Sequence, residues 1–262
     1  MGNALDMRLT VVGLDVTRGT TLAIHDITFT ARGGEWLGIV GANGSGKTSL
    51  LRAIAGRLAI AGGSITADGR DVTGDRSWRA RTIGFAPDAA MLPDRMTAAQ
   101  LFGLLADGRL DSGSCALTLL RAALGIDHLL DRRIGTLSSG NRQRIAVFAA
   151  FVAPAPRRAV ILDEPFNWLD PVCAYDLKQA LAQLVGEGLT LITALHDLAS
   201  WAILCDHGIL LADGIIANDL TAAQLAEGRR DLGRFEATII ERLRSSGVAP
   251  KADHLLDRRT SP

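Results

Sequence analysis

Cysteine is scarce in this sequence. Its three cysteines are Cys115, Cys173 and Cys205, which lie far apart and lack the close spacing of metal ligands. An odd number of widely separated cysteines argues against a disulfide framework and is typical of a reducing compartment. We therefore expect three free, buried cysteines that act as small apolar side chains.

Long hydrophobic runs are also missing. The longest, residues 145–153, has about half of the ~20 apolar residues that a transmembrane helix needs. The N-terminal residues show no charged start followed by an apolar stretch, so we expect no secretory signal. If the protein works at a membrane, another chain must span it.

Neither sign of charge is in excess. The 262 residues contain 28 Lys and Arg against 28 Asp and Glu, and the basic residues are scattered. A general nucleic-acid-binding protein carries a basic patch or stripe. Nucleic acid is therefore not an expected partner.

Glycine-containing turns are dense in the first third of the chain, where apolar and polar residues partly alternate. This alternation predicts strands, including a hairpin over residues 64–72 around Asp68 and Gly69. Residues 36–40 are a compact apolar run, typical of a buried strand. The run leads into GANGSGKT, and helical apolar spacing follows from Leu51.

GANGSGKT matches the P-loop pattern of nucleoside triphosphate sites, in which glycines let backbone N–H groups curl around phosphate oxygens. Lys47 is predicted to contact the β- and γ-phosphates, and Thr48 to offer its hydroxyl to Mg²⁺. The following helix would aim its positive end at the anion. The predicted phosphate-binding residues are Gly41, Asn43, Gly44, Ser45, Gly46, Lys47, Thr48 and Ser49.

The middle of the chain is predicted to be helical, opening at Thr97 with a capping box to Gln100 and continuing to about residue 151. Strand-like runs then alternate with helical segments again. The predicted fold class is α/β: a P-loop NTPase core with an antiparallel β part, split by an inserted α-helical subdomain. The predicted domains are residues 1–87 and 156–225 for the core, 88–155 for the helical subdomain, and 226–262 for a C-terminal helix with a loosely ordered tail.

Two acids end the apolar run at residues 159–162. A buried strand of this kind delivers its carboxylates to the sheet edge where nucleotide sites form. We predict that Asp163 holds Mg²⁺, through water, and that Glu164 polarises the attacking water as general base. A solvated strand end before Pro165 would look similar without the P-loop.

Residues 137–141, LSSGN, lie at a predicted helix start, where a serine N-cap alone would give the same pattern. The order of motifs along the chain decides between the two interpretations. From about residue 9 to 220 the sequence resembles the ATPase subunits of ABC transporters, through Lys47, Ser138, Asp163, Asp170 and His196.

The resemblance implies that Ser138 and Gly140 contact the γ-phosphate held by a second subunit. It makes residues 167–170, NWLD, a loop through which each subunit senses the other's site, with Asp170 among the nucleotide-binding residues. It also makes His196 a γ-phosphate contact that helps to position the water. Trp168 in that loop could take part or simply pack. Residues 91–96 could border the groove for a membrane partner's helix or pad the helical subdomain.

Two residues depart from the family pattern. Asp88 stands where a glutamine usually contacts Mg²⁺ and links the site to the membrane partner; a carboxylate can still ligate Mg²⁺. Arg18 stands near the place of an aromatic ring that stacks on adenine, and its guanidinium plane could stack instead.

We therefore expect an ATP-hydrolysing motor subunit that closes as a head-to-tail homodimer or heterodimer around two ATP·Mg²⁺ and drives a separate membrane-spanning subunit. It would be cytoplasmic and peripheral on the inner face of the cell membrane. The alternatives are a soluble ABC-type ATPase acting on ribosomes or DNA, and a nucleotide switch with little turnover. The short cassette favours an exporter by analogy alone, and the transported substance stays open.

Overall fold

The computed structural model describes residues 7–108, 115–154 and 157–245. The predicted tail after residue 245 lies outside the described residues, as does the predicted boundary at residues 155 and 156. The division into domains therefore stays a prediction.

The described residues alternate between strands and helices. The strands are β1 (Leu9–Arg18), β2 (Thr21–Ala31), β3 (Trp36–Val40), β4 (Gly62–Ala67), β5 (Arg70–Asp71), β6 (Ile83–Phe85), β7 (Ala159–Asp163), β8 (Thr190–Leu195), β9 (His207–Ala212) and β10 (Ile215–Leu220). The helices are α1 (Lys47–Ile54), α2 (Arg76–Thr82), α3 (Ala98–Leu105), α4 (Cys115–Leu124), α5 (Ser139–Ala149), α6 (Pro171–Gly186), α7 (Leu198–Leu204), α8 (Ala222–Arg230) and α9 (Leu232–Ser245). Short 3₁₀ turns cover Ala89–Met91, Asp127–Leu129 and Ile134–Thr136.

An antiparallel sheet with the strand order β2-β1-β4-β5 forms one layer. Strand β1 pairs with both β2 and β4, with Leu9 opposite Ala31 and Ala67. The predicted hairpin is confirmed: Asp68 and Gly69 both have positive φ, 50° and 80°, in the tight turn between β4 and β5.

A six-stranded sheet, ordered β10-β9-β3-β8-β7-β6, forms the core. Five of its strands are parallel, and β10 runs antiparallel to β9. Because β3, β7 and β8 are parallel neighbours, their carboxyl ends lie at one edge of the sheet. Residues 41–48 follow β3, Asp163 is the last residue of β7 with Glu164 after it, and His196 follows β8. These predicted site residues therefore lie at the same edge of the sheet.

Alternate side chains of the central strands enter two apolar clusters, one on each face of the sheet. On β3, Trp36 and Val40 face the helical side, whereas Leu37 and Ile39 face the antiparallel sheet and α1. The indole N–H of Trp36 donates to Thr193 Oγ1 at 2.9 Å, so this buried polar pair is satisfied.

The described residues between β6 and β7 are mainly helical, as predicted. The capping box of Thr97 and Gln100 opens α3, and Phe102 of α3 packs edge-on against Phe148 of α5, with ring centroids 4.8 Å apart. Helix α4 packs on α6, which ties this helical part to the core.

Three neighbouring side chains at the start of α5 join it to three separate segments. The Arg142 guanidinium donates to Ala89 O at 3.0 Å and pairs with Asp94 at 2.8 Å. Gln143 Nε2 lies 3.3 Å from both Glu164 O and Pro165 O. Arg144 forms an ion pair with Asp170.

Within the described ranges, we find no helix that is long and apolar enough to span a membrane. The three cysteines are free. Burial is confirmed for Cys173 and Cys205, but it was wrong for Cys115, which is exposed at the start of α4.

Candidate functional site

The loop between β3 and α1 has the backbone shape that phosphate binding needs. Gly44 and Gly46 have φ of 86° and 103°, in the left-handed region that favours glycine. A Cβ at Gly46 would lie 2.6 Å from Ala23 O, and one at Gly41 would lie 2.2 Å from Leu211 O. Gly46 is the N-cap of α1 and offers no side chain to cap it, so the first amides of the helix are left for an anion.

The side chain of Lys47 hydrogen-bonds to the backbone of this loop. Its side chain is buried, and Nζ donates to Gly41 O at 2.7 Å and to Ala42 O at 3.2 Å. Burial lowers the pKa of Lys47, and the carboxylates of Glu164 and Asp163 oppose this shift. The ammonium is therefore held at the phosphate-binding loop by carbonyl oxygens.

Thr48 and Asp163 form a pair across the sheet edge. Thr48 Oγ1 donates to Asp163 Oδ2 at 2.7 Å, whereas Oδ1 of the same carboxylate is buried with no partner among the described residues. Burial raises the pKa of Asp163, and the neighbouring charge of Glu164 adds to the shift.

The donor set at Thr48 and Asp163 fits a hard cation. A hydroxyl next to an unpaired carboxylate oxygen supplies the oxygen ligands that Mg²⁺ prefers. In the part of the chain that the structure describes, no group of three or more His, Cys, Asp or Glu could hold a metal ion.

Glu164 directly follows β7 and has a left-handed φ of 52°. Its amide donates to Ala194 O of β8 at 3.1 Å, which fixes the backbone against the neighbouring strand. His196 Nε2 contacts carboxylate Oε1, and Asn167 Nδ2 donates to Oε2 at 2.6 Å. The predicted base and the predicted histidine are thus in direct contact.

Two adjoining cavities of about 250 Å³ each open at this edge. Thr48 and Glu164 line both of them. Arg18, at the end of β1, lines the same cavity as the phosphate loop, and its contact with the base stays a prediction. The predicted loop residues 43–49 line that cavity as well.

Asp88 lines the second cavity, next to Asp163. Its Oδ1 accepts a hydrogen bond from Ala90 N at 2.9 Å and so caps the short 3₁₀ turn. The metal role of Asp88 therefore stays a prediction, and this oxygen of its carboxylate already has a partner.

Ser138, Gly140 and Asp170 line neither cavity. Ser138 is the N-cap of α5, and Asp170 is the N-cap of α6, where hydrogen bonds from the backbone, chiefly that of Cys173, lower the pKa of its carboxyl. A Cβ at Gly140 would come within 2.6 Å of Trp168 O. These three residues therefore do not contribute to the cavity at the chain's own phosphate loop. Trp168 is 73% exposed, so its side chain does not pack into the core.

Two amide contacts to the residue predicted as base were not predicted from the sequence. They are the Asn167 bond to the carboxylate of Glu164 and the Gln143 bonds to its backbone. The signal available was weak: Asn167 lies three residues after Glu164, beyond a proline that predicts a turn.

Comparison with known proteins agrees with this geometry. The sequence profile of a family described as ABC transporter matches residues 24–167. The chain belongs to the ABC transporter family. Within it, the chain is an ATP-binding subunit and an ATPase.

Several relatives of this ABC ATPase are similar over most of their length. The hemin import ATP-binding protein HmuV of Pseudomonas entomophila is 35% identical over 219 residues, which cover 79% of this chain and 84% of the relative. The energy-coupling factor transporter ATP-binding protein EcfA1 of Levilactobacillus brevis is 32% identical, with 87% and 85% covered. The thiamine import ATP-binding protein ThiQ of Shigella flexneri is 33% identical, with 77% and 88% covered.

Solved structures confirm the predicted fold class. The structure of an ATP-binding subunit of an ABC transporter has a TM-score of 0.75 at 24% identity and covers 91% of this ABC ATPase and 99% of that chain. A nucleotide-free ATP-binding cassette from an ABC transporter has a TM-score of 0.73 at 20% identity, with 90% and 98% covered.

Proposed function

We propose that this ABC ATPase hydrolyses ATP·Mg²⁺ with Glu164 as general base and passes the resulting motion to a membrane-spanning subunit. The observation that carries this proposal is the contact of His196 with the carboxylate of Glu164, a residue that lines both cavities. Lys47, Thr48 and Asp163 meet at the same sheet edge.

The phosphate loop binds the triphosphate. Backbone amides of residues 43–48 donate to phosphate oxygens, and Lys47 exchanges its carbonyl contacts for the β- and γ-phosphates. Mg²⁺, when bound, neutralises phosphate charge, and Thr48 and Asp163 would hold it, with Asp88 nearby. Arg18 at the end of β1 lines the same cavity as the phosphate loop, and its guanidinium can stack on the base there.

Glu164 takes the proton of the attacking water. The water oxygen bonds to the γ-phosphorus, the bond to the bridging oxygen of ADP breaks, and ADP and phosphate leave. A positioned base of this kind typically accelerates a reaction by about 10²–10⁴-fold. His196, in contact with Oε1, orients the carboxylate, and we propose that it also contacts the γ-phosphate when ATP is bound.

The second half of the site comes from another subunit. Ser138 and Gly140 stand at the start of α5 outside the chain's own cavities, so they are free to face the γ-phosphate of a second copy or of a related ATPase. Closure that depends on ATP contacts is lost on hydrolysis, because the differential binding energy disappears. Asp170 and the exposed Trp168 lie in the loop that would meet the other subunit.

The partner is a membrane-spanning transporter subunit, and the ATPase is peripheral on the inner face of the membrane. Met91, 80% exposed, does not pad the helical subdomain, and Arg142 joins its segment to α5. Relatives named as hemin and thiamine import proteins support import, against the exporter expected by analogy from the length of the chain. The transported substance would be selected mainly by the partner.

The direct test replaces Glu164 with Gln, which keeps the side chain's shape and removes the base. We expect at least a hundredfold lower ATP turnover, unchanged ATP affinity, and a dimer that persists on size exclusion with ATP·Mg²⁺. Lys47→Ala is the matched control and should lose ATP binding itself. Rapid hydrolysis by Glu164→Gln would contradict the assigned base.

Affinity purification of Glu164→Gln from detergent-solubilised membranes tests the partner. A stoichiometric membrane-spanning protein supports the transporter motor. Recovery of ribosomes or DNA instead would favour the soluble ABC-type ATPase, and a wild-type protein that binds ATP without turnover would favour the nucleotide switch.

A further inference from the structure

The residues after β7 turn back on themselves. Glu164 has a left-handed φ of 52°, and Asn167 N donates to Glu164 O at 3.2 Å, which closes a four-residue turn through Pro165. Because the two ends of such a turn lie side by side, the side chains of Glu164 and Asn167 lie next to each other.

The side chains at the two ends of this turn form a short hydrogen bond. Asn167 Nδ2 lies 2.6 Å from Glu164 Oε2, whereas His196 approaches the other oxygen, Oε1. Each carboxylate oxygen thus has one contact and keeps a lone pair that can accept from water. The carboxylate is held between two groups that come from different loops, one after β7 and one after β8.

The backbone of the turn has separate anchors. Gln143 is buried, and its amide reaches Glu164 O and Pro165 O, both at 3.3 Å. Glu164 N donates to Ala194 O. Because these bonds do not involve the Asn167 side chain, the turn should survive when that side chain is replaced.

We propose that Asn167 is a positioning residue for ATP hydrolysis, whose side-chain amide fixes the orientation of the Glu164 carboxylate. This inference rests on the proposed base role of Glu164. A neutral donor suits the task because it orients the carboxylate without adding a positive charge that would compete with Lys47 for phosphate. A carboxylate left free to rotate would reach the attacking geometry in only a fraction of molecules.

Two substitutions of similar size separate orientation from packing. Asn167→Leu removes the donor, and we expect kcat to fall about tenfold while the KM for ATP stays within about twofold. Asn167→Asp keeps the shape but places a second carboxylate against Glu164, and we expect a larger loss of kcat. If Asn167 acted by shape alone, the Asp variant would be the more active of the two, and that order would overturn the proposal. Gln179→Leu removes an exposed amide of α6 outside the site and should leave kcat unchanged.

A double-mutant cycle tests whether Asn167 acts through Glu164. Single-turnover hydrolysis of labelled ATP by the full-length chain is measured for Asn167→Leu with Glu164 and with Gln at position 164. We expect the tenfold effect to shrink below about twofold in the Glu164→Gln background, because no base remains to be oriented. Loss by the same factor in both backgrounds would show that Asn167 acts elsewhere, even with the base role intact. Wild-type hydrolysis by Glu164→Gln alone would instead reject the base, and the positioning role with it.

Discussion

We expect the ionised carboxylate of Asp163 to make the nucleotide-free protein less stable than a neutral side chain of the same shape would. One oxygen of its carboxylate accepts from Thr48, but the other is buried without a partner among the described residues. Burial raises the pKa of this carboxyl, with Glu164 adding to the shift. The folded protein therefore holds a charge that it solvates poorly, and Asp163→Asn replaces that charge with a neutral group of the same shape.

The size of the effect follows from the unpaired oxygen. An unsatisfied buried polar group costs about 1–3 kcal/mol, and the new amide recovers part of this cost because it is neutral. We expect Asp163→Asn to raise the free energy of unfolding at neutral pH by about 1–2 kcal/mol, or the melting temperature by about 2–8 °C. Hydrolysis and Mg²⁺-dependent nucleotide binding should be lost.

The pH dependence has a defined sign. Because the folded pKa of Asp163 is raised above its ordinary value of 3.8, the carboxyl favours folding in its protonated form, and this contribution is lost as the pH rises through the raised pKa. The advantage of Asn over Asp should therefore be full at neutral pH and shrink as the pH falls toward 3.8.

Thermal and chemical unfolding without nucleotide, repeated with ATP·Mg²⁺, measure the effect. At a ligand concentration of 100 Kd the wild type should gain about 2.7 kcal/mol and overtake the variant. Asp213→Asn, in an exposed turn, is the control and should stay within about 0.5 kcal/mol. An Asp163→Asn protein that is no more stable than the wild type at neutral pH would refute the reasoning.

Two further predictions concern close contacts. Gly140→Ala places a Cβ 2.6 Å from Trp168 O, so we expect α5 or the loop that contains Trp168 to shift. ATP turnover should then fall about tenfold or more, with ATP affinity unchanged. Gly186→Ala is the control and should be neutral, because its Cβ meets no atom within 4 Å. Equal turnover of the two variants in a steady-state ATPase assay would contradict this. Thr193→Val leaves the indole N–H of Trp36 without its acceptor. Denaturant titrations should show a free energy of unfolding that is lower by about 1–3 kcal/mol, with ATP affinity retained. An unchanged unfolding midpoint would show that the bond contributes nothing.

The features that could be predicted from the sequence are local ones. The glycines of the phosphate loop, the strand that ends at Asp163 and the N-cap position of Ser138 each follow from a short pattern with one backbone solution. Alternation and helical spacing also predicted an α/β core with an antiparallel β part and a helical insertion, because each element must bury its apolar face.

The contacts that could not be predicted depend on backbone detail. The bond from Asn167 to Glu164 requires a left-handed residue that is not glycine, which no residue pattern announces. Asp88 was predicted as a metal ligand, but whether it would also cap a 3₁₀ turn depends on how the chain leaves β6. The exposure of Cys115 likewise depends on the direction in which the first turn of α4 faces.

Helix α5 is attached near its start to three other parts of the structure. Arg142 contacts the segment around Met91, Gln143 contacts the backbone of Glu164, and Arg144 pairs with the N-cap residue of α6. A displacement of α5 at one of these contacts would act on the other two, because all three belong to one helix. We therefore expect a partner that moves the segment around Met91 to move the backbone of Glu164 as well.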